Sequence, residues 1–156
     1  MQSSPRAKLA ESGIQLPTPL LPVANYVPAL QFGGTLAISG QLPFIDGHIA
    51  FAGRLGDDVD LETARQASAR CAVNILAIVD SWCGGDWDRI VRCVRLGGFF
   101  QVAGNFFDLP KAMNGASDLL VTAMDEMGRH VRTTVGVSTL PMNAVAEVDA
   151  LFEVRA

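Results

Sequence analysis

At 156 residues and 49% hydrophobic content, the chain has material for one domain with its own buried core. Its net charge of -4 and its 12 dispersed Lys and Arg offer no basic field for a phosphate backbone, so nucleic acid is excluded as a first expectation. Charged residues reach only 18%, against roughly 25% for an ordinary soluble protein, which points to surface buried against further copies of the chain.

The three cysteines, Cys71, Cys83 and Cys93, are an odd number without metal-ligand spacing, as expected for a reducing cytoplasm. The chain has no apolar run long enough to span a bilayer and no basic-then-apolar start, so a soluble, cytoplasmic protein with no membrane partner is expected. No internal repeat or low-complexity segment interrupts it.

In chain order, residues 1–24 read as a proline-rich N-terminal arm, with a short helix possible from Ala7 to Gly13; residues 25–156 read as the single domain. Tyr26 to Phe32 and Thr35 to Ser39 are apolar runs joined by Gly33-Gly34, a hairpin connection, with a further short strand near His48 to Phe51. Asp60 then caps a helix whose apolar positions Ala64, Ala67, Cys71, Ile75, Val79 and Trp82 recur at helical spacing, with Gly84-Gly85 to end it.

Ile90 to Phe100 reads as a strand on β propensity, although Arg92 and Arg95 leave its faces unassigned. A second helix is expected from Ala116 to Met127, with Gly128 following it as a C-terminal cap. Two strands close the chain: Arg132 to Ser138, and Ala146 to Val154, where Ala146, Val148, Ala150, Phe152 and Val154 form one apolar face. The order predicts an α+β domain, one sheet with two helices packed on one face.

Among chemistry-bearing motifs, G-x-x-x-x-G-K, G-x-G-x-x-G, G-x-S-x-G and H-E-x-x-H are all absent, which removes nucleotide, lipase-type and zinc-protease readings. His48 and His130 have no evident partner for acid/base work, and neither needs to be functional.

Arg132, at the start of a strand with Thr134 on the same face, either pairs with a carboxylate at a subunit interface or binds the carboxylate of a small 2-keto or 2-imino acid. Glu147 lies on the polar face of the last strand, either solvated or, if that face is buried in an assembly, placed to orient or deprotonate a water. Asn114-Gly115 reads as a turn and helix cap, or as a ligand contact through Asn114. Tyr26, the only tyrosine, either closes a pocket or packs; Ser39 precedes a bend-permitting Gly40 and has nothing nearby to activate it as a nucleophile.

Together these residues resemble the RidA/YjgF family of enamine/imine deaminases, also called the endoribonuclease L-PSP family. Ser39-Gly40-Gln41-Leu42-Pro43 is similar to its S-G-Q-x-P signature, Asn74 falls in a helix like its N-x-x-A helix, and Arg132, Leu140-Pro141 and Glu147 reproduce its closing R, L-P, E order. The resemblance spans residues 22–155 and is closest to a divergent branch carrying Ala24-Asn25-Tyr26, Asn114-Gly115-Ala116-Ser117-Asp118-Leu119 and Gly128-Arg129-His130. Typical members have G-P-Y-S-Q-A before the hairpin and often cysteine where Thr134 stands.

The resemblance implies a chorismate-mutase-like (bacillus type) fold with one mixed sheet, a barrel-centred homotrimer, and clefts between subunits. It implies Arg132 and Glu147 as catalytic, Tyr26, Asn114, Thr134 and Ser39 as substrate-binding, and no metal or organic cofactor. The activity so implied is hydrolysis of 2-aminoacrylate-like enamines or imines to 2-keto acids and ammonia. A non-catalytic 2-keto acid binder and an endoribonuclease or translation inhibitor are the alternatives.

Overall fold

The computed structural model describes residues 3–156. A short helix, α1 (Pro5–Glu11), forms within the arm, whose residues 1–2 lie outside the described residues. Ser4 caps α1 by accepting the Ala7 N–H, and Pro5 stands in the first turn, where a missing N–H costs nothing. α1 is docked by the fully buried Leu9 and by ion pairs of Arg6 with Asp80 and Lys8 with Asp125.

Strands β1 (Ala29–Phe32) and β2 (Thr35–Gln41) form the expected hairpin, with Gly33 at φ 56° in the connection. The first strand begins three residues later than Tyr26, because residues 23–26 bend and Pro28 has no N–H for a ladder. The strand expected near His48 shrinks to a two-residue pairing, β3 (Phe44–Ile45) with β4 (His48–Ile49), across an Asp46-Gly47 turn in which both residues have positive φ.

Helix α2 (Leu61–Cys83) has the ends read from the sequence: Asp60 accepts the Thr63 N–H at 2.8 Å, and Gly84 takes the left-handed φ of 65°. Strand β5 (Ile90–Gln101) follows, then helix α3 (Leu109–Met124), strand β6 (Val131–Val137) and strand β7 (Ala146–Val154).

α3 corrects the expected second helix. It starts at Leu109 rather than Ala116, with Pro110 in its first turn, so Asn114-Gly115 is helix interior and not a turn. It ends at Met124, where Asp125 turns at φ 50°, and a 3₁₀ turn (Asp125–Gly128) follows. Gly128 is therefore not the cap of α3.

The main sheet has the order β1-β2-β7-β5-β6, mixed because β5 and β6 run parallel while the other pairs are antiparallel. Register settles the faces that sequence left open. Leu36 pairs Phe152, Ile38 pairs Ala150, and Leu96 pairs both Ala150 and Arg132, so all of these side chains share one face. That face carries the core, covered by α2 and α3. Two irregularities in β5, between Ile90 and Arg92 and between Cys93 and Arg95, explain why its alternation is not clean.

Among the described residues, no helix covers the opposite face. It presents Leu30, Phe32 and Val131 at 60%, 58% and 68% exposure, together with Val135 and the half-buried Ala37, Phe99 and Leu151. Among the described residues, no helix is long and apolar enough to cross a membrane.

Candidate functional site

Arg132 enters from β6 on the helix-covered side of the sheet and is fixed by two oxygens of α3. Its Nη1 donates to Ser117 Oγ at 3.0 Å and its Nη2 to the Pro110 carbonyl at 3.1 Å. Two of the five guanidinium N–H groups are spent this way and three remain. Among the described residues no carboxylate pairs with Arg132.

Pro110, Asn114 and Ser117 stand at i, i+4 and i+7 of α3, one helical stripe, so Asn114 lies between the two groups that hold the arginine. The Asn114 side chain is exposed there, and its place in the helix interior removes the cap reading. Thr134 follows Arg132 on the same face of β6, and its buried Oγ1 has no hydrogen-bond partner among the described residues. Arg132, Asn114, Thr134 and Ser117 thus form one cluster at the sheet edge.

Two glycines make this cluster possible. At Gly115 a Cβ would stand 1.9 Å from the Arg65 carbonyl oxygen of α2, so only glycine lets the two helices cross this closely. The buried Ser68 hydroxyl takes advantage of the crossing: it lies 2.7 Å from the Ala112 carbonyl and accepts the Ala116 N–H at 3.1 Å, bridging α2 to the middle of α3. At Gly128 a Cβ would stand 2.2 Å from the Leu120 carbonyl oxygen, so the chain entering β6 runs against α3.

That close run brings His130 to Ser117. His130 Nε2 lies 2.9 Å from Ser117 Oγ, and Nδ1 lies 2.6 Å from the Gly128 carbonyl oxygen. Burial pushes the imidazole pKa down, and the charge of Arg132 acts in the same sense against the bond to Gly128. Neither Ser117 nor His130 emerges as a site residue from sequence; the one available signal is that His130 precedes Arg132 by two, hence shares its face.

A second cluster lies on the uncovered face. Between Ile38 and Gln41 the β2–β7 register slips, and at Gly40 a Cβ would come 2.2 Å from Glu147 Oε1. The carboxylate of Glu147 therefore rests over the bulge, half-buried, and burial followed by the nearby Asp149 raises its pKa. Ser39 Oγ donates to the Val27 carbonyl at 2.7 Å and so pins the segment that carries the exposed Tyr26 to β2. With its proton spent, the Ser39 hydroxyl can only accept from a ligand. Asn74 of α2 donates to the carbonyls of Leu42 and Phe44 at 3.0 and 3.2 Å, holding the turn after the bulge.

The two clusters do not meet in one chain. Arg132 faces the helices from the edge strand β6, whereas Glu147, paired across from Phe99, faces the opposite side of β7, and β5 lies between the two strands. A cavity of about 470 Å³ lies elsewhere, under Pro17 to Leu20 of the arm, where Arg70 spends its Nε on the Phe44 carbonyl at 2.7 Å. All three cysteines are buried free thiols; burial pushes Cys93 up to about 12 and Cys71 higher, so neither is a nucleophile at neutral pH. Among the described residues no group of three or more His, Cys, Asp and Glu gathers as for a metal ion.

Comparison with known proteins agrees with the motifs. The family model described as "YjgF/chorismate_mutase-like, putative endoribonuclease" matches residues 6–154. Protein TCP17 of Trypanosoma cruzi is 38% identical over 150 residues, covering 96% of this chain and 93% of that protein. The crystal structure of Atu1372 from Agrobacterium tumefaciens, a protein of unknown function, is similar with a TM-score of 0.91 at 42% identity, over 97% of this chain and 92% of that one. A Shewanella oneidensis structure reaches a TM-score of 0.94 at 32% identity, over 97% of this chain and 100% of its own. The chain belongs to the RidA/YjgF family and has its chorismate-mutase-like fold.

Proposed function

We propose that the protein is a 2-enamine/2-imine deaminase, hydrolysing 2-aminoacrylate-like intermediates to 2-keto acids and ammonia in clefts between the subunits of a homotrimer. The observation that carries this reading is Arg132: a guanidinium immobilised by two neutral oxygens, facing no carboxylate of its own chain among the described residues, with three N–H groups to offer. A small 2-imino acid supplies the missing negative charge through two parallel N–H···O bonds. Asn114, exposed on the same side, is placed to meet the rest of the ligand, with Thr134 on the same face of β6 as Arg132.

In this scheme the enamine takes a proton from solvent at its terminal carbon and becomes the imine. Protonated on nitrogen, the imine takes water at its carbon as Glu147 accepts one of the water's protons; Glu147 passes that proton to the amino nitrogen, the carbon–nitrogen bond breaks as the hydroxyl releases its proton to solvent, and ammonia leaves a 2-keto acid. The raised pKa of Glu147 brings the carboxylate closer to the operating pH, where a general base is most effective. Because Glu147 and Arg132 occupy opposite faces of one sheet, a neighbouring copy supplies Glu147 and Tyr26 to each Arg132 cluster, and the uncovered apolar face supplies the contact. Catalysis is by positioning and charge, without a covalent intermediate.

The test is release of pyruvate and ammonia from enzymatically generated 2-aminoacrylate, with wild type and Arg132→Ala compared after light scattering shows both to be trimers. Acceleration by the wild type that the variant loses supports the reading. Pyruvate binding without turnover moves the protein to a carboxylate-binding role, and a monomeric wild type removes the intersubunit site.

A further inference from the structure

At the entry to β6 the hydrogen bonds run in one direction at every link. The Gly128 carbonyl can only accept, so the hydrogen of the His130–Gly128 bond sits on Nδ1. In the neutral ring Nε2 is then a bare lone pair, and the bond to Ser117 requires the serine hydroxyl to donate. With its hydrogen turned toward His130, Ser117 Oγ presents only lone pairs to Arg132, whose Nη1 can only donate. A serine without this partner is free to rotate and point its own proton elsewhere.

We propose that Ser117 and His130 are positioning residues for Arg132: His130 locks the Ser117 hydroxyl as an acceptor, and the locked hydroxyl, with the Pro110 carbonyl, aims the remaining guanidinium N–H groups at the carboxylate of a small 2-keto or 2-imino acid. The glycine at 128 serves the same end, since a side chain there would push the strand entry off α3 and His130 away from Ser117. The charged groups nearest this pair are Arg132 itself, Asp118 beside Ser117 on α3, and Arg129, which is tied to Glu126 at 2.9 Å and whose carbonyl is held by Arg92. None of these carboxylates bonds His130; the Gly128 carbonyl favours the imidazolium, but burial and the charge of Arg132 oppose it and leave the ring pKa lowered. The choice of ligand rests on the deaminase reading; the direction of the hydrogen-bond chain does not.

Two measurements separate the claims. In the unliganded protein, side-chain ¹⁵N spectra at pH 7 should show His130 as the neutral Nδ1–H tautomer; an Nε2–H tautomer or an imidazolium overturns the proposal whatever the enzyme does. Calorimetric titration with pyruvate then reads function. Ser117→Ala and His130→Leu should each weaken binding on the order of tenfold, the loss expected for one hydrogen bond to a charged group, with the fall in kcat/KM lying mostly in KM. Ser117→Thr, which keeps the hydroxyl, and His130→Gln, which returns an acceptor near Nε2, should recover most of it. Wild-type affinity in Ser117→Ala and His130→Leu, or a Ser117→Thr as weak as Ser117→Ala with the fold intact, overturns the positioning role. A wild type that binds pyruvate without turnover sinks the deaminase reading and leaves the affinities to judge this one; a wild type that does not bind pyruvate sinks both the deaminase reading and the aiming of Arg132.

Discussion

Gly115→Ala is the substitution whose sign the helix crossing fixes most firmly. On an exposed helix the change would stabilise by about 0.5–1 kcal/mol, because alanine loses less chain entropy. Here the new methyl would meet the Arg65 carbonyl oxygen at 1.9 Å and Ser68 Oγ at 2.7 Å, and the first of these is backbone that cannot rotate away. Ordinary contact begins at 3.4 Å, so α2 and α3 must part by about 1.5 Å along that vector. Overpacking of this kind costs about 1–3 kcal/mol. Parting the helices also breaks the Ser68 bonds to Ala112 and Ala116, but the hydroxyl keeps the Arg65 carbonyl of its own helix at 3.0 Å, so the further loss is about 1 kcal/mol, that of a paired hydrogen bond. After the propensity gain is subtracted, a net loss of about 2 kcal/mol is expected, read as a lower urea midpoint at unchanged slope. Because Ser117 is two residues on, pyruvate affinity should fall as well. A Gly115→Ala protein as stable as wild type, or more stable, would refute the close crossing and with it the account of how Ser117 reaches Arg132.

Three further outcomes follow from single contacts. Asp80→Ala removes a buried carboxylate that accepts Trp87 Nε1 at 2.7 Å and also pairs with Arg6 of α1; stranding the indole N–H should lower stability by about 2 kcal/mol, seen in urea titrations followed by tryptophan fluorescence. Gly40→Ala puts a methyl 2.2 Å from the flexible end of Glu147, so the side chain should swing aside at little cost in stability while kcat drops at least tenfold; an unchanged kcat would remove Glu147 from the chemistry. The raised pKa of Glu147 means the folded chain holds that proton to higher pH than the unfolded one, so its contribution to stability is complete below about 4.5 and is lost as pH rises through the folded-state value. Glu147→Gln should abolish that loss, whose slope stays below the ceiling of about 1.4 kcal/mol per pH unit for one proton, since the group is half-exposed.

What could be read from the sequence was whatever local chemistry decides. The Asp60 cap, the left-handed Gly84 and the alternation of Ala146 to Val154 reappear because neighbours within a few residues set them. Asn114-Gly115 misleads because turn chemistry and a close helix crossing both call for glycine, and only the approach of Arg65 and Ser68 tells them apart. Pairing Arg132 with Glu147 was possible from motif order, but their placement on opposite faces depends on β5 lying between β6 and β7, which no local period reveals. Ser117 and His130 lie 13 residues apart and meet only because Gly128 lets the strand entry lie against α3.

The central claim is that each site takes its arginine from one subunit and its glutamate from another, and subunit mixing tests it most directly. Arg132→Ala and Glu147→Gln proteins, each inactive alone, are unfolded together in equal amounts and reassembled. Random assembly gives about a quarter of the interfaces an intact Arg132 facing an intact Glu147, so the account predicts deaminase activity restored to about a quarter of wild type. Mixed trimers that form and remain inactive would contradict it.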